Sequence, residues 1–314
     1  GLEYKNVNIF DSGGLFRAKV VGTALGLQAG VQWKNPAIFN SPYALSVEVK
    51  PETFTFEGYN RHTLALRGAL SRDFTRHLSG EMYVGASVNE MTSDTLTAAE
   101  IGPESYSVGN AGLTLTYEAR DNPVSPTRGW YGSMTLEAGG VTGGEKDVSY
   151  TRTEFALAYY KPFTKKWRGA IGLHLASLIS GEDVSAIPIE LRNYNGGANG
   201  VRSFAQRELG PRAESDGTPL GGTQSQTVSG EIAYEIIKNL EIAGFVDVGS
   251  LSTAQGTWAP QFTDLRYAAG AGLRYRLPFG PLRIDYGVNL NRRTGESFGA
   301  LHIGFGMAFL RMKK

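Results

Sequence analysis

The side chains best placed for chemistry in this sequence are one cation and two anions. Arg202 lies in Gly196-Gly197-Ala198-Asn199-Gly200-Val201-Arg202-Ser203-Phe204, a Gly-rich polar segment, and Glu208-Leu209-Gly210-Pro211-Arg212 follows it. Glu231 and Asp247 fall on two adjacent predicted strands, each on the polar face. A guanidinium is a planar fork of donors that one carboxylate, or two, can accept. Carried inside by its loop, Arg202 could bridge both acids and pin the loop there. Such a link, partly buried, is costly to break from one side, because the surviving charge is left unpaired. The alternative is three unconnected charges in a wet interior.

Other chemistry is thinly represented. The 4 histidines, His62, His77, His174 and His302, are scattered without metal-ligand spacing. No Gly-x-Ser-x-Gly elbow, Walker loop or dinucleotide fingerprint occurs. With 0 cysteines, disulfide scaffolds, thiolate metal sites and Cys nucleophiles are removed together. No catalytic residue, metal site or cofactor is expected, and the chain reads as a non-enzyme. A rim site pairing Ser or Asp with a histidine is the enzymatic alternative, but His174 and His302 read more simply as lumen or interface residues. The net charge of +1 offers nucleic acid no bulk attraction.

The elements that must position these charges show a period of two. From 226 to 236, Val228, Gly230, Ile232, Tyr234 and Ile236 share one face, and Ser229, Glu231, Ala233 and Glu235 the other. In the next segment Leu240, Ile242, Val246 and Val248 oppose Glu241, Phe245 and Asp247. Tyr267 to Leu277 sets its apolar face against Arg274 and Arg276; Leu282 to Leu290 sets its own against Arg283, Asp285 and Asn289. The last strand, Leu301 to Phe309, opposes Leu301, Ile303, Phe305, Met307 and Phe309 to His302, Gly304, Gly306 and Ala308. Alternation of this kind, in segments of roughly ten residues, suits tilted membrane-spanning strands better than the strands of about five or six found in soluble sandwiches.

Tight connections (Lys238-Asn239, Pro278 to Pro281) alternate with long polar ones (Ser180 to Thr223, Ser250 to Leu265). The prediction is an all-β, antiparallel transmembrane β-barrel of about fourteen strands. It fills 1–314 as a single domain, with 181–222 as a long extracellular loop inserted in the lumen. In lipid every backbone N–H and C=O must be paired, so an open sheet edge is not allowed. An Arg or Lys moved to the lipid face at mid-bilayer costs about 2–4 kcal/mol, so the inward Arg274, Arg276, Arg283 and Asp285 fix the register. Trp33, Trp130, Trp167 and Tyr194 are candidates for interfacial girdles, or else ordinary surface aromatics.

Several stretches, in this order, resemble the barrel of the BamA/TamA superfamily, which includes the two-partner secretion transporters. Tyr117 to Gly129 is similar to a mid-barrel strand and turn. Gly196 to Phe204 resembles the Val-Arg-Gly-Phe/Tyr loop motif with its preceding Gly-Gly, and Gly230-Glu231 the acidic strand after it. Phe245-Val246-Asp247-Val248-Gly249 resembles the Phe-x-Asp-x-Gly strand, and Gly272 to Leu290 the penultimate hairpin.

The resemblance implies sixteen antiparallel strands, usually preceded by periplasmic domains, with the long loop folded into the lumen. The first and last strands then meet at a weak seam that opens sideways to template or release client β-strands. Carried over by motif, Val201, Arg202, Ser203 and Phe204 form a lumen latch with Glu231 and Asp247 as its acidic partners. Gly299, Gly304, Gly306 and Phe309 mark the seam strand, where glycines pair weakly or only relieve crowding. The implied activity is an outer-membrane assembly factor or insertase for client outer-membrane proteins, in the outer membrane of a Gram-negative bacterium or an organelle derived from one. Its partners are outer-membrane lipids and periplasmic accessory proteins. The alternatives are a transporter passing a secreted polypeptide through the lumen, and a passive barrel anchoring a soluble domain.

Four features depart from the pattern. Ser203 stands for the usual glycine, the count of about fourteen strands falls short of sixteen, the tail Leu310 to Lys314 follows the terminal aromatic, and no periplasmic domain is expected within 1–314.

Overall fold

The computed structural model describes residues 1–9, 13–23, 25–256, 262–277 and 280–306. Among the described residues fifteen strands follow one another in an antiparallel meander, each bonded to its chain neighbours in a single sheet. They are β1 (Leu2–Ile9), β2 (Gly14–Thr23), β3 (Gly26–Asn35), β4 (Ala44–Phe56), β5 (Tyr59–Asp73), β6 (Leu78–Thr92), β7 (Ser105–Arg120) and β8 (Gly129–Thr142). Then come β9 (Val148–Pro162), β10 (Trp167–Ser180), β11 (Gln224–Ile237), β12 (Leu240–Ser252), β13 (Arg266–Leu277), β14 (Gly280–Asn289) and β15 (Gly299–Phe305). Among the described residues the one α-helix is a single turn, Ala98–Ile101, and no helix is long and apolar enough to cross a membrane. The all-β transmembrane barrel expected from the alternation is the architecture found, one strand above the count of about fourteen. Fifteen is an odd number, so β1 and β15 run in the same direction, and among the described residues no ladder joins them.

The alternation sorts the side chains as lipid requires. Leu64, Leu66, Met82, Val84, Ile171, Ile232 and Val246 expose apolar groups on the outer face. Glu231, Asp247, Arg274 and Asp285 are buried on the inner one. Strand β7 runs 16 residues, more than the roughly 9–11 that cross the hydrocarbon, so it projects beyond the bilayer. The long connections, 93–104, 181–223 and 290–298, lie at one end. Two connections at that end are nonetheless tight: β2–β3 and the β4–β5 hairpin, which turns at Glu57-Gly58.

At the opposite end aromatics collect. Trp130 stacks on Tyr159 with ring centroids 4.1 Å apart, and Trp167 lies 4.8 Å from Tyr234. Trp33 sits near the β3–β4 turn at the same end, in register with Phe16 and Val47. Tyr194 is not part of a girdle. It belongs to the 181–223 loop, where its hydroxyl donates to the Ile189 carbonyl at 2.9 Å. Also at this end, Asp121 Oδ1 accepts the backbone N–H groups of Asn122, Thr127 and Arg128 at 3.0, 2.9 and 3.1 Å, which sets the β7–β8 turn.

Candidate functional site

The site is built where the 181–223 loop meets β11, β12, β14 and β15. The loop reverses tightly before it arrives: Gly200 N–H bonds the Gly197 carbonyl at 3.1 Å, and Gly197 N–H bonds the Phe204 carbonyl at 3.0 Å. Val201 and Phe204 flank the turn and bury their side chains with Leu209, Leu251 and Ala268. Asn195 stitches the loop to the wall; its amide donates to the Gln226 carbonyl and Thr227 Oγ1, both at 3.0 Å. That role carries no signal in the sequence.

Arg202, 1% exposed, then points at the acids. Its Nε and Nη2 donate to Asp247 Oδ2 and Oδ1 at 2.9 and 2.8 Å, and its backbone N–H donates to Asp247 Oδ2 at 3.0 Å. Nη1 donates to Glu231 Oε2 at 3.0 Å and lies 3.7 Å from Asp285. The Phe245 ring lies beneath the guanidinium, 3.4 Å from centroid to Cζ. Burial alone pushes an arginine pKa down; the hydrogen bonds and charge of Asp247, then Glu231 and Asp285, more than reverse this and hold Arg202 above its ordinary value. The three residues that sequence reasoning singled out as a cation and its two acids are therefore in direct contact.

The cluster is larger than that trio. Arg274 on β13 donates to Glu231 at 2.8 Å and lies 2.6 Å from Asp285. Arg283 on β14 lies 3.4 Å from Asp285 and reaches back to the loop, donating to the Ala198 carbonyl and Asn199 Oδ1, both at 2.9 Å. Three guanidiniums thus face three carboxylates with no net charge. Alternation puts Arg274, Arg283 and Asp285 on the inner face, but not in one cluster with the loop.

The loop backbone reaches the strands themselves. A Cβ on Gly287 of β14 would stand 2.3 Å from the Arg202 carbonyl oxygen, so only glycine lets the chain lie there. That same oxygen faces His302 Nε2 of β15 at 3.0 Å. Ser203 is fully buried, is not among the positive-φ residues, and its hydroxyl has no hydrogen-bond partner. The backbone there does not demand glycine, so this departure from the motif is tolerated.

The seam residues divide. Gly299 is pressed against its neighbour strand, where a Cβ would stand 2.2 Å from the Gly287 carbonyl oxygen. Gly304 has open space beside it, and Gly306 has φ +87°. Phe309 lies outside the described residues, as do Met307, Ala308, Pro278 and Phe279.

Gly287 on β14 and Tyr59 on β5 are nine places apart in strand order, about 43 Å across a flat sheet. Arg202 lies against the first and Arg207 bonds the second, and the chain between them spans at most about 18 Å. The sheet must curl to bring its two sides to one short loop.

Residues 8–309 match the model of the Omp85 superfamily domain. The outer membrane protein assembly factor BamA of Nitratidesulfovibrio vulgaris is 28% identical over 210 residues, covering 63% of this chain and 25% of that one. The sorting and assembly machinery component 50 homolog of Xenopus tropicalis is 26% identical over 218 residues, covering 63% and 45%. The chain thus spans about a quarter to under half the length of these relatives. Among solved structures, Haemophilus ducreyi BamA lacking POTRA domains 1–3 superposes with a TM-score of 0.77 at 17% identity, covering 96% of this chain and 65% of that one. CdiB from Acinetobacter baumannii gives 0.60 at 15%, covering 96% and 55%. An outer-membrane barrel, of a Gram-negative bacterium or an organelle derived from one, is the setting these likenesses share, and the chain belongs to the Omp85 superfamily.

Proposed function

We propose that this barrel is an outer-membrane protein assembly factor, in which the 181–223 loop is folded back into the lumen and held there by Arg202 as a latch. The observation that carries the reading is the buried, charge-neutral cluster of Arg202, Arg274 and Arg283 with Glu231, Asp247 and Asp285. A wet pore gains nothing from so much desolvated charge. A loop that must be held in one position gains a defined place, because each broken pair leaves an unpaired buried ion. Two relatives are named as assembly factor and as assembly-machinery component, which supports the same class of activity here.

The insertion step is proposed to occur at the β1–β15 edges. Both strands run the same way, so a client strand lying antiparallel to β15 is antiparallel to β1 as well, and main-chain bonding alone can hold it. Clients are then unfolded outer-membrane β-barrel proteins, and periplasmic accessory proteins and outer-membrane lipids are the further partners.

The test is insertion of an unfolded eight-stranded barrel into phosphatidylethanolamine–phosphatidylglycerol vesicles containing the full chain. Insertion should be faster than into empty vesicles, and slower again with Arg202→Ala. A disulfide between Gly304→Cys and a β1 cysteine should stop it; undiminished insertion by the locked barrel would sink the seam. The CdiB likeness favours a second reading, export of a polypeptide through the lumen. A wide conductance appearing in planar bilayers on Arg202→Ala alone would support that reading instead.

A further inference from the structure

A second cluster, separate from the Arg202 site, fastens the same loop to a different wall. Arg207 is only five residues beyond Arg202, yet its guanidinium lies between the rings of Phe56, at the end of β4, and Tyr194, 4.4 and 4.3 Å from their centroids. Its Nη1 donates to the Tyr59 hydroxyl of β5 at 2.9 Å and to Glu190 Oε1 at 3.1 Å. Glu190, in the first part of the loop, also accepts Arg61 Nη1 of β5 at 2.8 Å and a short hydrogen bond from the Tyr59 hydroxyl. Arg61 in turn donates to Glu52 of β4 at 3.2 Å, and Lys50 lies 3.0 Å from the same carboxylate.

Arg207 holds φ at +68°, a left-handed conformation rare outside glycine and its close substitutes. Such strain persists only where the surroundings over-determine it. Here they do: two rings, one hydroxyl and one carboxylate fix the side chain from four sides. The hairpin tip adds a third contact, since a Cβ on Gly58 would stand 2.3 Å from Thr218 Oγ1 of the loop.

The two clusters share no residue. One holds the loop to β11–β15, the other to β4–β5, six places or more away along the sheet. We propose that Glu190 and Arg207 form a second anchorage that holds the loop to the β4–β5 hairpin and releases independently of Arg202, so that the loop is a cross-brace fixed at both walls. This rests on the reading of the loop as a latch and adds that freeing it takes two separate events. Arg207 is then a positioning residue. It keeps 211–220 in place while Arg202 keeps 195–204.

Hydrogen–deuterium exchange of the full chain in detergent tests this. Arg207→Asn tolerates the left-handed backbone and deletes the fork; Tyr59→Phe deletes one hydroxyl and leaves the barrel wall intact. With Arg207→Asn, exchange over 211–220 should rise at least tenfold while 195–204 stays protected, and Tyr59→Phe should give a smaller rise in the same peptides. Arg202→Ala should do the reverse, and the double variant should show both effects. Release of both segments by either single variant overturns the independence of the two anchorages. Unchanged exchange over 211–220 in both Arg207→Asn and Tyr59→Phe overturns the anchorage itself. Protection of 195–204 in Arg202→Ala would instead remove the latch reading and leave the Arg207 result standing.

Discussion

Asp247 receives Arg202 through three hydrogen bonds at once, two from the guanidinium fork and one from the backbone N–H of the same residue. One carboxylate therefore fixes both where the Arg202 side chain points and where its main chain lies. Losing Asp247 releases both together, and losing the fork still leaves the backbone bond. The two sides of this pair are unequal in what they control.

Arg202→Ala leaves Glu231 and Asp247 buried with one cation fewer, and breaking a buried pair from one side costs about 3–5 kcal/mol. The loss should appear as a lower unfolding temperature in detergent, followed by the heat-induced gel shift of the barrel. Arg202→Lys keeps the charge without the bidentate fork and should fall between wild type and alanine. Neutralising Glu231 and Asp247 together, as Gln and Asn, leaves Arg202, Arg274 and Arg283 facing Asp285 alone and should be at least as damaging as Arg202→Ala. Wild-type unfolding temperatures in all three would remove the cluster's structural role.

Ser203→Gly is expected to move stability the other way. The Ser203 hydroxyl is buried without a partner. An unsatisfied buried polar group costs about 1–3 kcal/mol, and the extra freedom of glycine in the unfolded chain takes back about 0.5–1 kcal/mol. The variant should unfold at the same or a higher temperature, by at most about 2.5 kcal/mol of stabilisation. A marked drop would mean that the hydroxyl holds something in place.

Much of this was legible beforehand, for physical reasons. A lipid-facing sheet must alternate, so Ile232 and Val246 stood opposite Glu231 and Asp247 in the sequence as they do in the fold. The one arginine of the Gly-rich stretch 196–204 is conspicuous by type. What period two cannot supply is which inward charges meet. Asp285 and Arg274 join Arg202 only because the loop lies against β14, and Arg61 finds Glu190 across 129 residues of chain. Tyr194 looked like a girdle aromatic because proximity to a strand end is all that sequence offers; its hydroxyl instead bonds within the 181–223 loop. Only two residues join β2 to β3, so little in the sequence marks that turn beyond Gly26, which opens β3 at φ +154°.

The Glu190 site makes the loop sensitive to acid. Burial raises the Glu190 pKa, but Arg207 and Arg61, with hydrogen bonds from Arg207 and Tyr59, more than offset this and hold it below the usual glutamate value. A carboxyl depressed in the folded state adds stability that is complete above its unfolded pKa of about 4.3 and is lost as pH falls through the lower folded value. The chain has 0 cysteines, so Glu214→Cys takes a single environment-sensitive fluorophore on the exposed part of the loop. Its signal should be flat from about pH 7 to 5 and change only below the ordinary glutamate value of about 4.3. Glu190→Gln should give the acid-like signal at every pH, and a transition unmoved by that substitution would assign the sensitivity to another group.

Two glycine-to-alanine changes separate the loop's seat from the sheet that carries it. A methyl at Gly287 meets the Arg202 carbonyl oxygen at 2.3 Å and the Ser203 nitrogen at 2.9 Å, both backbone atoms that no rotamer change can move aside. Gly244, on β12, has nothing within 4 Å of the same methyl. Both are strand glycines, so each gains about the same unfolded-state benefit from alanine. Gly244→Ala should therefore stay within about 0.5 kcal/mol of wild type. Gly287→Ala should lift the Arg202–Ser203 peptide off β14, weaken the Asp247 bonds and the His302 contact together, and lower the unfolding temperature about as far as Arg202→Ala does. If Gly287→Ala and Arg202→Ala are combined, the losses should not add, because the first has already unseated the residue that the second removes. Additive losses, measured by the same gel shift, would mean that the loop backbone and the arginine side chain are held by independent contacts and that the seat on β14 plays no part in the latch.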